Sequence, residues 1–243
     1  SSAAGEQPKL TACVCDAADT WRHVIVKFSG KGGRPEDRRW ADLLVAENVA
    51  NVVLMAAGIP CSATTLIEAD GRTFLESTRF DRVGAHGRRG LVSLEALDAA
   101  FFGQIETPWT RASERLRDGH WISREDAERL ALLWWFGTLI GNTDMHYGNI
   151  SLFLEPARPL SLAPTYDMVP MQYRPDIEGQ FSDAPLAPMP PPPEALPLWS
   201  RAATLAHTFW SRLAAAALAS SPFQQLAEQN SRVVLEQLNR FGT

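Results

Sequence analysis

Hydrophobic period changes once along this chain, near positions 79–82, and that change limits the folds open to it. Before it, short apolar runs alternate with turn residues. LTACVC (10–15) and HVIVKFS (23–29) are rich in β-branched and aromatic side chains and read as strands. DAADTW between them supplies turn residues, and SGKGGRPEDR reads as a loop of Gly, Pro and charge. Positions 40–57 hold good helix formers without Pro or Gly, which predicts a helix of about 18 residues stopped by Gly58 and Pro60. CSATTLIEADGRTFLESTRFDR then predicts two strands around the turn Ala69-Asp70-Gly71.

After the change the chain reads as mostly helical. LVSLEALDAAFF offers Ser93 as an N-cap, and PWTRASERLRDG places Pro108 in a first turn. ISREDAERLALLWWFGTLIGN starts with Ser123 and Asp126 in a capping-box-like arrangement. It is so apolar toward its end that a central, buried helix is expected. NISLFLEP and LSLAPTYDMVP read as two short strands, split by Ala157-Arg158-Pro159. The Pro-rich stretch over 182–197 can neither join a sheet centre nor continue a helix, so it predicts an ordered or semi-extended surface crossover. Two helices, at 199–220 and 222–240, close the chain. The expected class is α/β, more narrowly α+β, in two lobes. A small β-rich lobe with one helix occupies 1–78, and a larger, mostly helical lobe occupies 79–243.

With 243 residues and 45% hydrophobic content, the chain can bury a sizeable core in one domain or two closely joined lobes. A net charge of −5 without a dense basic stripe argues against direct nucleic-acid binding. Three cysteines, Cys13, Cys15 and Cys61, are an odd count without framework spacing, which points to a reducing cytoplasm. Cys13 and Cys15 are expected on one strand face as core or half-buried thiols. No run approaches the roughly 20 apolar residues of a membrane span. The opening SSAAGEQPKL lacks signal-peptide features and an initiator Met, so the chain is expected to begin inside a longer protein.

The chemistry concentrates in GNTDMHYGNISLF and APTYDMVP. Asp144 and Asn149 are five positions apart and Asp167 follows 18 later, each beside an apolar element. Phosphoryl transfer needs one carboxylate to take or orient the proton of the attacking hydroxyl. It also needs an amide oxygen and a second carboxylate to hold magnesium on the phosphates. Protein kinases space their base Asp, metal-binding Asn and metal Asp in this order. Turn or capping roles would explain any one of these residues alone; the set, with a lysine upstream, points to the site. His146 reads as a brace for the loop. Lys27 lies inside the apolar VIVKF run, where a lone charge is costly unless paired, and Glu47 on the next helix is the natural partner. GKGG at 30–33 lacks a P-loop ending and reads as a solvated loop.

Together these segments resemble the HipA family of bacterial serine/threonine kinases, the toxins of certain toxin–antitoxin pairs. The matching pieces are SAAGEQPKL, VIVKF, AEN with Glu47, STRFDR, GNTDMHYGNISLF and LAPTYDM, in the family's order. The resemblance implies a two-lobed protein-kinase-like fold that uses ATP and Mg2+. It implies that Ser1, Ser2, Gly5 and Gln7 belong to a phosphate-binding loop, which in the family can carry an inhibitory autophosphorylated serine. Lys27 then looks like the ATP lysine, and Ser77, Thr78 and Phe80 like the interlobe hinge beside adenine. Asp144 looks like the catalytic base, and Asn149 and Asp167 like the magnesium ligands. The implied partners are a protein substrate with a Ser/Thr hydroxyl and an antitoxin or upstream regulatory segment, with no membrane. Family members usually carry a further N-terminal subdomain before the phosphate loop; these residues do not include it, so a fragment or a shorter or differently fused branch is expected, and the Pro-rich stretch and last two helices match only loosely. Small-molecule kinases of the aminoglycoside or choline kind share the Asp, Asn and Asp logic. They usually show HxDxxxxN, whereas here the His follows the Asp. A non-catalytic nucleotide-binding scaffold is disfavoured by the intact Lys27, Asp144, Asn149 and Asp167.

Overall fold

Period-two alternation in the first third builds a four-stranded antiparallel sheet in the order β1-β2-β4-β3. Its strands are β1 (Lys9–Cys15), β2 (Trp21–Phe28), β3 (Thr64–Ala69) and β4 (Arg72–Thr78). The computed structural model describes residues 8–15, 20–104 and 108–242. Ser1, Ser2, Gly5 and Gln7, and most of the DAADTW turn, lie outside them. β3 and β4 meet at Asp70-Gly71, with φ of 50° and 69°. A two-residue loop with both φ positive is the mirror-image turn that matches strand twist, and Asp-Gly suits it.

Cys13 and Cys15 share a face as expected, yet both thiols are exposed. β1 is an edge strand, and the helix that covers the sheet packs on β2, β3 and β4. That helix, α1 (Pro35–Ala56), starts one turn before the expected boundary, inside the segment read as a loop. Pro35 is acceptable there because a first-turn N–H has no intrahelical partner. Glu36 and Asp37 favour the positive end of the helix dipole. α1 is buried on several sides, because the sheet covers one face and a C-terminal helix another.

Two short hairpin arms, β5 (Arg82–Val83) and β6 (Gly87–Arg88), lead out of the sheet. β7 (Leu91–Ser93) pairs with β8 (Ser151–Phe153) and leads into the next helix. α2 (Leu94–Phe101) is capped by Ser93, whose Oγ accepts the Ala96 N–H at 3.1 Å. Pro108 stands at the N-cap position of α3 (Trp109–Asp118), just outside its first turn, and makes no side-chain cap.

α4 (Arg124–Leu139) is the central helix, with Leu130, Leu133 and Phe136 in the core. Ser123 caps it, but Asp126 does not close a capping box. Its carboxylate instead accepts the Leu162 N–H at 3.2 Å and pairs with Arg129 at 2.9 Å. LSLAPTYDMVP forms no strand, only isolated bridges from Leu160, Leu162 and Thr165. Pro164 lacks the N–H a ladder needs, and the chain turns at Asp167.

α5 (Leu196–Ala214) and α6 (Ser221–Phe241) pack on each other, and α5 also packs on α4 and α1. The Pro-rich crossover is ordered as expected. Leu186 within it is buried and donates its N–H to Asn230 Oδ1 at 2.9 Å. Among the described residues no helix is long and apolar enough to cross a membrane.

Candidate active site

Lys27 lies inside the apolar stretch of β2, one residue before its end at Phe28, with its ammonium facing inward. Its side chain is 9% exposed, that of Glu47 3% and that of Asp167 34%. Nζ donates to Glu47 Oε1 and Oε2 at 2.7 Å each and to Asp167 Oδ1 at 2.5 Å. Burial opposes the charged ammonium, but Asp167 and Glu47 more than offset it, so the Lys27 pKa stands above its ordinary value. Burial also acts on the carboxylates. For Asp167 the Lys27 charge outweighs it and the pKa falls; for the more deeply enclosed Glu47 burial wins and the pKa rises. The three groups together carry one excess negative charge when ionised.

Asp167 lies in the left-handed backbone region, at φ 57°. Asp tolerates that region better than most side chains, and such outliers persist where surrounding contacts hold them. One such contact is Asn142, which follows α4 and is buried. Its Nδ2 donates to the Asp167 carbonyl at 3.4 Å, and its Oδ1 accepts the Asp144 N–H at 3.1 Å. Asn142 therefore ties the two Asp-bearing loops together.

The loop over 144–149 closes on itself. Asn149 Nδ2 donates to the Asp144 carbonyl at 2.8 Å, which leaves the amide oxygen available. His146 Nδ1 accepts the Gly148 N–H at 3.0 Å and caps the short 3-10 turn Tyr147–Asn149. It braces the loop, as its position suggested. Met145 seats against α4 at Gly137, where a Cβ would stand 2.2 Å from its Sδ. A glycine in mid-helix costs stability, and this close approach explains it. Tyr166 donates to the Gly148 carbonyl at 3.1 Å and shares a 2.7 Å hydrogen bond with Ser151. Burial pushes its phenol up to about 12.

Phe80 packs edge-on to Phe153 at 6.0 Å and beside Tyr166 at 5.8 Å. Asp81 is held between Arg79, at 2.7 Å, and Arg82, which fixes the segment leaving β4. Burial works against the Asp81 carboxylate, but Arg79 and Arg82 lower its pKa. Between the sheet and the helical part lies a cleft of about 670 Å³, lined by Lys27, Ser77, Thr78, Phe80, Asp144, Asn149 and Asp167 among others.

A family model described as the HipA-like C-terminal domain matches residues 1–237. The chain belongs to the HipA-like family. Toxin YjjJ of Escherichia coli strain K12 is 36% identical over 249 residues, which cover 100% of this chain and 55% of the toxin. The chain thus spans about half the length of that curated relative. Among solved structures, HipA of Shewanella oneidensis MR-1, in its complex with HipB and operator DNA, superposes with a TM-score of 0.61 at 18% identity. That match covers 99% of this chain and 65% of the other. The Helicobacter pylori proinflammatory kinase CtkA superposes with a TM-score of 0.60 at 12% identity, covering 94% of this chain and 91% of CtkA. At such identities the likeness is one of fold, and the shared fold is kinase-like: a small antiparallel sheet beside a larger helical part.

The HipA-like chain brings Lys27, Glu47, Ser77, Thr78, Phe80, Asp144, Asn149 and Asp167 around one cleft, with Glu47 behind Lys27. The predicted phosphate-loop residues Ser1, Ser2, Gly5 and Gln7 lie outside the described residues. Sequence reasoning singled out neither Asn142 nor Tyr166 as a site support. The Asn two positions before Asp144, where an Asx turn is common, was the available signal for the first. Asn142→Leu should cost about 1–3 kcal/mol of stability by leaving the Asp144 N–H unpaired. Urea melts against the unsubstituted chain check this.

Proposed function

We propose that this HipA-like chain carries the catalytic core of an ATP- and magnesium-dependent kinase that phosphorylates a serine or threonine of another protein. The observation that carries this reading is Lys27, clamped by Glu47 and Asp167 at a cleft that also presents Asp144 and Asn149. In this reading residues 1–78 form the nucleotide-binding lobe, and 79–243 carry the catalytic and metal-binding loops.

The donor set suits magnesium shared with phosphates. Among the described residues no three His, Cys, Asp or Glu side chains form a metal cage. Asn149 keeps a free amide oxygen and Asp167 is the most open carboxylate of the Lys27 cluster. Such a cation takes its remaining ligands from phosphate and water. When bound, it would neutralise charge on the transferring group.

Lys27, held by Glu47, would hold the α- and β-phosphates. Asp144 would accept the proton of the acceptor hydroxyl as its oxygen bonds to the γ-phosphorus and the bond to the β-phosphate oxygen breaks, releasing ADP. Asn149 keeps the Asp144 backbone in place. Ser77, Thr78 and Phe80 would border the adenine. The toxin relative, and the HipA complex with HipB, support a toxin role with an antitoxin partner.

Mass-spectrometric phosphoproteomics of a bacterial lysate supplied with the chain, ATP and magnesium tests the proposal. New phosphoserine or phosphothreonine is expected with the unsubstituted chain and not with Asp144→Ala. Equal phosphorylation by both would overturn the role of Asp144, and none with either would overturn the kinase reading.

A further inference from the structure

We infer that the first half of α6 is a positioning element for the Lys27 site, setting the distance between its two carboxylates. The problem it solves is geometric. Glu47 sits on α1, whereas Asp167 sits in the segment leading to the 3-10 turn Met171–Tyr173. One ammonium can meet both only if α1 and that segment keep a fixed spacing.

α6 holds both. Asp42, on α1 five positions before Glu47, is buried and accepts two hydrogen bonds from Ser220, the N-cap residue of α6. The Ser220 N–H reaches Oδ1 and its hydroxyl reaches Oδ2, each at 2.7 Å. Ser220 makes no side-chain cap to its own helix. A serine at this position normally serves its own first turn, so its commitment to α1 is a specific feature. Arg39, also buried on α1, places its guanidinium 4.9 Å from the Phe223 ring and 4.2 Å from Phe181.

On the other side, Tyr173 is fully buried six positions after Asp167. Its hydroxyl accepts from Asn230 Nδ2 at 2.8 Å, and its ring meets Phe223 edge-on at 6.2 Å. Phe223 therefore touches both the helix of Glu47 and the segment of Asp167. No described residue of α6 lines the cleft, so its influence runs through those two elements.

The test reads Lys27 itself. Acylation by an N-hydroxysuccinimide ester, quantified by peptide mass spectrometry on the full chain, reports whether the amine is clamped. Exposed Lys31 serves as the internal reference. An ammonium held between two carboxylates resists acylation. Asp42→Ala is expected to raise the Lys27-to-Lys31 labelling ratio about tenfold, since it removes both buried bonds to Ser220. Asp42→Asn, which can accept from the N–H and donate to the hydroxyl oxygen, should stay within about twofold. Arg232→Ala, on the exposed face of α6, should leave the ratio unchanged. Should Asp42→Ala fail to fold, Ser220→Ala replaces it, with about a threefold rise expected from losing one bond.

A folded Asp42→Ala or Ser220→Ala chain with unchanged Lys27 labelling would overturn the inference and leave α6 a stabilising helix only. The catalytic consequence, a kcat loss in Asp42→Ala that Asp42→Asn restores, rests on the kinase reading. The labelling result does not. A chain that labels as expected but transfers no phosphate would sink the kinase reading and leave the positioning role standing.

Discussion

Lys27→Met is expected to abolish phosphoryl transfer and to destabilise the fold by about 3 kcal/mol. Methionine keeps much of the stem volume but removes the cation between Glu47 and Asp167. Glu47 is then a buried carboxylate without a counter-ion. Asp167, a third exposed, stays partly solvated, so the low end of the range for breaking a buried pair applies. The loss has a pH signature. Burial already raises the Glu47 pKa, and losing Lys27 raises it further. A carboxyl whose folded pKa is raised favours the folded state only while protonated. The variant's deficit should therefore be smallest below the unfolded value of about 4.3 and grow as pH rises.

The unsubstituted chain responds differently at its extremes. Lys27, with a raised pKa, contributes stability fully present below about 10.4 and lost as pH rises through its folded value. Asp167, with a lowered pKa, contributes stability present above about 3.9 and lost as pH falls through its folded value. Urea melts of both chains at acidic and neutral pH check the difference. A deficit that stays constant with pH would mean that Glu47 is not left bare.

The second large effect is expected at Asp144. Asp144→Asn should lower kcat by about 10²–10⁴, the usual contribution of a general base. It should leave ATP affinity within about twofold and stability within about 0.5 kcal/mol, as for a surface substitution. The loop is held through the Asp144 backbone, by Asn142 on its N–H and Asn149 on its carbonyl. The carboxylate itself is 58% exposed. Single-turnover transfer measured beside an ATP titration separates the two effects. Loss of binding together with turnover would indicate that Asp144 shapes the nucleotide site.

Local patterns revealed the parts of the site that depend on local chemistry. A lysine inside an apolar strand demands a partner, and the spacing of Asp144, Asn149 and Asp167 points to one cleft, which all three line. The Asp70-Gly71 turn and the Ser93 and Ser123 caps are local too. What stayed hidden depends on distance. Lys27 meets Asp167 across 140 positions, and Asp42 meets Ser220 across 178. Composition around Asp42 gives no hint that a serine near the chain's end will cap its carboxylate. The exposure of Cys13 and Cys15 was missed because a period-two pattern does not reveal whether a strand lies at a sheet's edge. LSLAPTYDMVP shows the converse: its residues suit a strand, but a proline and the turn at Asp167 break the ladder.

We propose that the cleft around Lys27 binds ATP with magnesium through Asp167. Calorimetric titration of the chain with ATP, with and without magnesium, and of Asp167→Ala in parallel, tests it most directly. One ATP per chain is expected, bound only with magnesium by the unsubstituted chain and not measurably by Asp167→Ala. ATP binding of equal strength in Asp167→Ala, or no binding by the unsubstituted chain, would contradict it.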